Sequence, residues 1–428
     1  MTVTILGVVV GLAISIFMIT RKLNPVASLF LGTVIGGLLG GLDLQQVVDV
    51  IIVGSQSVAG INARIVAGGI LAGVLIETGA TETIATTLVR KFGEKRVLIA
   101  IALSAMITCA SGIFITVSIV MLAPIALSVA SKTGVSKLAV LLAVTGGTKA
   151  GNLISPNPNA VAAAEAFNVP LQQVMIAGFI PMVFGVVITV LLASRLKNKG
   201  SFVQASDMIA PTQEKELPSI GRAVVAPIVA ISLLMVGMVA DLVGLHWVAE
   251  LHLDVLFVLP IAAIIGAIVM GKGKHIITYA NNGIMKMVPI ILILIGAGAL
   301  GRLITISALP DMIKNLIDTA GIPAIFLAPI SSAMMSSASA STATGVILAA
   351  NSFAGAVIHF GVAPLVAAAT LHAGAVVIDI MPHGNIFLAS KESFYVDMKE
   401  RVSIMPFEIL IGAIMLTVSM VIFGIVLY

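Results

Sequence analysis

The chain has 428 residues, 59% of them hydrophobic and 10% charged, with a formal net charge of +4 and a single cysteine, Cys109. So few charges cannot cover a soluble protein of this length, and one cysteine excludes an internal disulfide framework. The small positive excess lies in short loops between apolar runs, a pattern of membrane orientation rather than a nucleic-acid footprint.

Apolar runs of spanning length predict helices at about 3–20, 24–42, 60–79, 137–168, 172–194, 221–243, 253–271, 286–305, 363–389 and 403–427. The first, Met1 to Thr20, lacks a basic n-region and a small-residue cleavage site, so it reads as a span and not as a removed signal. Two further stretches, about 97–131 and 322–359, are interrupted by small polar residues. Amphipathic pieces near 43–58, 81–95, 272–285 and 309–320 are expected at the membrane interface. The stretch at about 195–220 (Arg-Leu-Lys-Asn-Lys-Gly, then Gln-Glu-Lys-Glu) is the one long polar segment and reads as a solvated cytoplasmic linker.

Basic residues orient the chain. With the N-terminus outside, all of the 23 Lys and Arg except Arg64, Lys149, Arg302 and Lys314 fall in cytoplasmic segments. That bias holds only if 97–131 and 322–359 are re-entrant hairpins that return to the side they left. The halves also resemble each other at an offset of about 228: Gly73-Val-Leu-Ile matches Gly301-Arg-Leu-Ile, Ser111 matches Ser339, and Thr116 matches Thr344. Near the end Pro156 to Asn159 matches Pro382 to Asn385. Five spans and a hairpin per half make the second half inverted relative to the first. The expected fold is an all-α polytopic membrane protein of two inverted repeats, 1–194 and 221–428, each with a discontinuous helix.

Broken helices hold polar solutes in a membrane, because their free backbone groups face a cavity instead of lipid. Four break points stand out. Hairpin one turns at Thr108 to Gly112, offering Ser111 and Gly112. Hairpin two turns at Ser336 to Gly345, offering Ser337, Ser339, Ser341, Thr342 and Thr344, more hydroxyls than helix packing alone calls for. The span after hairpin one is broken between Thr145 and Asn159 by glycines and prolines, which brings in Thr145, Lys149, Asn152, Ser155, Asn157 and Asn159. A new half-helix starting near Asn159 would present its positive end to an anion. The span after hairpin two is broken at Asp379-Ile-Met-Pro-His-Gly-Asn385, which adds Asn385.

Ionisable residues within spans are costly and therefore functional candidates. Lys149 either neutralises a carboxylate or snorkels to an aqueous vestibule. Asp379, His383 and His372 are candidates for carrying a coupling proton, with His383 otherwise a loop-lining histidine. Glu165 reads as an outer-interface residue. No zinc-protease, nucleophile-elbow, Walker or dinucleotide motif is present, so the chain offers no signature of an enzyme, an ATP-driven pump, a metal site or a cofactor.

At three places the chain resembles the gluconate permease family of the ion transporter superfamily: Ile84 to Gly93, Pro156 to Ala164, and Ser339 to Gly345. The resemblance covers almost the whole chain. It departs from the family pattern at Asn157 and Asn159, where the family break has His and Gly, and at Asp379 to Asn385, where the family shows a Ser-His-Val-Asn-Asp type run. The resemblance implies proton symport of sugar acids and related hydroxy-acids, and a homodimer with a scaffold and a mobile transport domain in each protomer. The reading is therefore a multi-pass transporter of the bacterial inner membrane that takes up a small anionic substrate with protons. Sodium-coupled transport of citrate or a dicarboxylate is the alternative. A non-transporting scaffold or sensor subunit would not need broken helices, and an intramembrane enzyme would need a nucleophile–base pair.

Overall fold

The computed structural model describes residues 3–21, 23–92, 96–204, 207, 217–242, 253–309, 312, 319, 323–382 and 384–426. Among these residues the regular structure is helical, apart from one isolated bridge between Val3 and Ser307. Seven helices are long and apolar enough to cross a membrane, and six more are apolar but shorter.

The first half runs α1 (Ile5–Thr20), α2 (Pro25–Leu39), α3 (Leu44–Ser57), α4 (Ala59–Glu77) and α5 (Ala80–Phe92). It continues with α6 (Val97–Ala110), α7 (Ile115–Thr133), α8 (Lys137–Asn152), α9 (Pro158–Ala166), α10 (Leu171–Ala177) and α11 (Phe179–Arg195). The second half runs α12 (Ile220–Ala223), α13 (Val225–Leu242), α14 (Val255–Val269), α15 (Ile276–Thr305), α16 (Leu327–Ser339) and α17 (Thr342–His359). It ends with α18 (Pro364–Ala375), α19 (Asn385–Ser393) and α20 (Met398–Val421).

Local sequence explains where these helices start. Asn24 caps α2 ahead of Pro25, and Asp43 forms a reciprocal capping box with Gln46 at α3. Ser136, Asp254, Ser341 and Asp397 cap α8, α14, α17 and α20 through their side chains. Each cap supplies an acceptor to N–H groups that have no partner inside the helix.

Both interrupted stretches are helical hairpins. α6 and α7 pack on each other across a turn containing Gly112, whose φ of +98° suits glycine. α16 and α17 do the same across Ala340 and Ser341. In both hairpins the returning arm is the longer one, 19 residues in α7 and 18 in α17.

Several boundaries differ from the sequence reading. Most of the stretch at 272–285 joins the span at 286–305 in one 30-residue helix, α15, because nothing between them stops a helix and Pro289 removes only one bond from it. The span expected at 172–194 is present as a 25-residue span, Leu171–Arg195, with one irregular residue at Gly178 where α10 meets α11. The start of the linker is mostly exposed but tied down: Ser136 Oγ donates to the Leu196 carbonyl at 2.7 Å, and the Lys137 N–H to that of Ser201 at 2.9 Å. Ser201 in turn donates from its N–H and its hydroxyl to Glu400, at 2.6 and 2.9 Å. Lys137 completes this staple with an ion pair to Asp207 at 2.8 Å. Burial opposes the charge on Asp207, but the Lys137 ammonium and the Gln204 N–H outweigh it and hold its pKa below the ordinary carboxyl value. Linker residues 205–206 and 208–216, and most of 309–320, lie outside the described residues.

Buried side chains form two cores, and both broken helices pass between them. Leu138 to Val144 of α8 belong to one core, while Ala160 to Ala164 of α9 belong to the other. Val366 to Leu371 of α18 belong to that second core, while Ile386 of α19 returns to the first. The first break therefore lies on the seam between the cores, and the second begins at it, with Val376 and Ile380 already in the first core.

Candidate functional site

The first break is narrower than the sequence suggests. α8 continues unbroken through Thr145, Gly146, Gly147 and Gly151 to Asn152, and only 153–157 leave the helix. A helical glycine costs about 1 kcal/mol, too little to end a helix that gains from packing. Gly147 and Gly151 supply that gain: a methyl group on either would overlap a carbonyl oxygen of α6, at Ala102 and Met106 respectively. Thr145 turns its hydroxyl back toward the Leu142 carbonyl within the helix.

Pro158 occupies the first turn of α9, and Asn157 caps it. The Asn159 and Ala160 N–H groups donate to Asn157 Oδ1 at 2.9 and 3.1 Å. The helix end that the sequence offers to an anion is thus filled by the protein's own amide. The remaining amides interlock, since Asn157 Nδ2 and Asn159 Nδ2 donate to Asn152 Oδ1 at 2.6 and 2.9 Å. Ser155 Oγ donates to the Cys109 carbonyl at 2.8 Å and so ties this break to the tip of hairpin one. Ser111 at that tip bonds back to the Ile107 carbonyl, and Gly112 faces Pro156.

The second break, 376–384, is less closed. α19 begins at Asn385 with no side-chain cap, and Asn385 is exposed. Its preceding residue, Gly384, lies against Ala340 at the tip of hairpin two so closely that a Cβ would not fit. Ser341 caps α17 by accepting from the Thr344 N–H and hydroxyl at 3.3 and 3.2 Å. Ser339 is half-buried and donates to the Met335 carbonyl at 2.7 Å. Ser337, also half-buried, donates to the Met334 carbonyl of its own helix.

The two breaks are joined by charge. Lys149 Nζ lies 2.6 Å from Asp379 Oδ1, with both side chains at 1% exposure or less. Lys149 also donates to the Val376 carbonyl at 2.7 Å, and Thr342 Oγ1 donates to Asp379 Oδ2 at 2.5 Å. The ammonium of one half, the carboxylate of the other and a hydroxyl of the hairpin-two tip thus meet at one point. A second link runs between Asn152 Nδ2 and His372 Nε2 at 3.3 Å. His372 is buried. Because the Asn152 oxygen already accepts twice, its Nδ2 is the group facing His372, whose Nε2 must then be unprotonated. His383 lies outside the described residues.

Two charged clusters join residues whose pairing the sequence does not announce. Arg401 and Glu408 form a buried bidentate pair on α20 at 2.7 and 3.1 Å. Arg401 also donates to Ser390 at 2.8 Å and covers the Phe387 ring at 4.6 Å, so it anchors the nine-residue α19. Their seven-residue spacing on an apolar helix puts both on one face, which is the signal that would have found them. Arg64 pairs with Glu165 at 2.8 Å and Asp254 at 2.7 Å, joining the ends of α4 and α9 to the start of α14. Burial works against the Asp254 charge, but the Arg64 guanidinium and the Leu256 N–H prevail and lower its pKa.

A family model described as GntP family permease matches residues 3–426. An uncharacterized transporter of Haemophilus influenzae is 44% identical over 424 residues, covering 99% of each chain. A high-affinity gluconate transporter of Escherichia coli is 24% identical over 370 residues, 81% of this chain and 82% of that one. The D-serine transporter DsdX of Escherichia coli is 26% identical over 321 residues, 71% of this chain and 70% of that one. Among solved structures, the Alcanivorax borkumensis YdaH transporter superposes with a TM-score of 0.60 over 90% of both chains at 14% identity, a likeness of fold.

Proposed function

The chain belongs to the GntP permease family of multi-pass membrane transporters, and from that premise we propose secondary active uptake of a small carboxylate, such as a sugar acid or hydroxy-acid, driven by protons. The observation that carries this reading is the Lys149–Asp379 pair at the seam between the breaks. A buried ammonium is the group an anionic solute needs, and here an internal carboxylate occupies it. With Asp379 charged, Lys149 is held. A proton on Asp379 cancels that attraction and releases the ammonium to the solute carboxylate. Loss of the proton on the other side restores the pair and expels the solute. Proton and solute then travel together because one acid and one anion compete for one cation.

The relatives support a carboxylate. Gluconate and D-serine, the named substrates of two of them, both carry one next to a polar-substituted carbon. The α9 end is self-capped, so Lys149, the uncapped start of α19 and the hairpin-two hydroxyls are the groups offered to the solute carboxylate.

The same proposal includes the inverted repeat. The order of elements from α13 to α20 follows that from α1 to α11, with hairpin, broken helix and closing helix in the same succession. The Arg64–Glu165–Asp254 cluster and the Lys137–Asp207–Glu400 staple gather segment ends that the orientation assigns to opposite faces, the first outside and the second inside. Both termini are placed outside and the linker inside, in the bacterial inner membrane. A homodimer, with a scaffold and a moving part that meet at the seam, completes the picture.

Sodium-coupled carboxylate transport is the second reading, favoured by the non-helical backbone at 376–382, whose carbonyl oxygens suit a small cation. Uptake of labelled gluconate, D-serine, citrate and succinate into proteoliposomes separates the two. Proton coupling requires accumulation under an inward pH gradient without sodium. Accumulation that needs sodium and ignores the pH gradient would replace it with the second reading.

A further inference from the structure

The amides at the first break form a chain whose orientation is fixed from one end. Asn157 Oδ1 accepts from two backbone N–H groups, so its Nδ2 is the donor to Asn152. Asn152 Oδ1 must then accept, and it accepts from Asn159 Nδ2 as well, at 2.9 Å. Turning the Asn159 amide over would set its oxygen against the Asn152 oxygen. Asn159 Oδ1 is therefore locked as an acceptor. It has no hydrogen-bond partner among the described residues, although Asn159 is only 3% exposed. Buried polar atoms of this kind are rare and call for a donor.

Its position relates it to the charged pair. Lys149 lies three residues before Asn152 on α8, so the two side chains share a face of the helix. Asn159 reaches that face through its bond to Asn152.

We infer that Asn159 Oδ1 reads a hydrogen-bond donor on the solute close to its carboxylate, a hydroxyl or an ammonium, and so selects hydroxy- and amino-carboxylates over plain ones. This rests on the carboxylate-transport reading above. A donor-bearing solute pairs the locked oxygen. A plain alkyl chain leaves it buried and unpaired, and sites built around such a bond reject the analogue that lacks it strongly.

The test compares gluconate with hexanoate, the same carbon chain without hydroxyls, by calorimetric binding to the purified full-length protein at mildly acidic pH. The wild type is expected to bind gluconate at least about 100-fold more tightly than hexanoate. Asn159→Leu, which keeps the volume and removes the acceptor, is expected to shrink that ratio below about 10-fold. Asn159→Ala replaces the Leu variant if that one does not fold. A purely structural asparagine would weaken both ligands alike and leave the ratio unchanged, and that result overturns the inference. Equal binding of gluconate and hexanoate by the wild type overturns it too, while leaving carboxylate transport standing. A wild type that takes up no acid in proteoliposomes removes the transport reading, and this inference with it.

Discussion

Lys149 and Asp379 come from different halves of the chain, yet their charged atoms lie 2.6 Å apart with both side chains buried. Both charges lie among residues of one core, Ala150 and Leu153 beside Lys149 and Val376 and Ile380 beside Asp379, next to the place where the broken helices change sides. Removing either partner alone leaves an uncompensated buried charge, at a cost of about 3–5 kcal/mol. Lys149→Met and Asp379→Asn should therefore each lower the melting temperature of the purified protein. The double variant should recover most of the loss and still fail to accumulate substrate. Additive losses in the double variant would mean that the two charges do not interact.

The serines of hairpin two are expected to differ sharply. Ser341 caps α17, and losing a cap costs about 1 kcal/mol. Ser341→Leu should therefore abolish uptake while the protein still inserts. Ser337→Leu should leave uptake within about two-fold of wild type, because Ser337 is half-buried and its hydroxyl returns to a carbonyl of its own helix. Uptake measured in the two variants side by side checks this, and equal losses would count against it.

Glycines that look alike in sequence have opposite expected effects. Gly151→Ala drives a methyl into the Met106 carbonyl and should destabilise the protein by several kcal/mol or prevent its accumulation. Gly355→Ala on α17 meets nothing and should stabilise by about 0.4–1 kcal/mol. Thermal melting of the two variants makes the comparison.

Orientation is open to labelling. In a background with Cys109 replaced, a cysteine at Lys199 should react with an impermeant reagent only after the membrane is opened. A cysteine at Asn168, just beyond α9, should react in intact cells. Labelling of the Lys199 position from outside would reverse the topology.

The sequence shows the breaks clearly because proline and glycine act locally. Pro156, Pro158 and Pro382 mark the two interruptions, and the hydroxyl-rich tips mark the hairpins. Asn157 next to Pro158 is itself a helix-start signature, so the self-capped end of α9 was legible too, had the amide been weighed against the open helix end. The glycines misled because close packing against α6, a long-range property, keeps α8 helical through them. The Lys149–Asp379 contact could not be read at all. No periodicity relates residues in different halves, and each charge alone suggested a separate task. The docking of the linker on Lys137 and Glu400 was hidden for the same reason.

The most direct test of the central claim measures Asp379→Asn in proteoliposomes in two modes, accumulation under a pH gradient and exchange of labelled for unlabelled substrate at zero gradient. An asparagine cannot recapture Lys149 by gaining or losing a proton, so the account expects accumulation to vanish and exchange to persist, now insensitive to pH. Accumulation that survives with its pH dependence intact would remove Asp379 from the coupling and contradict the account.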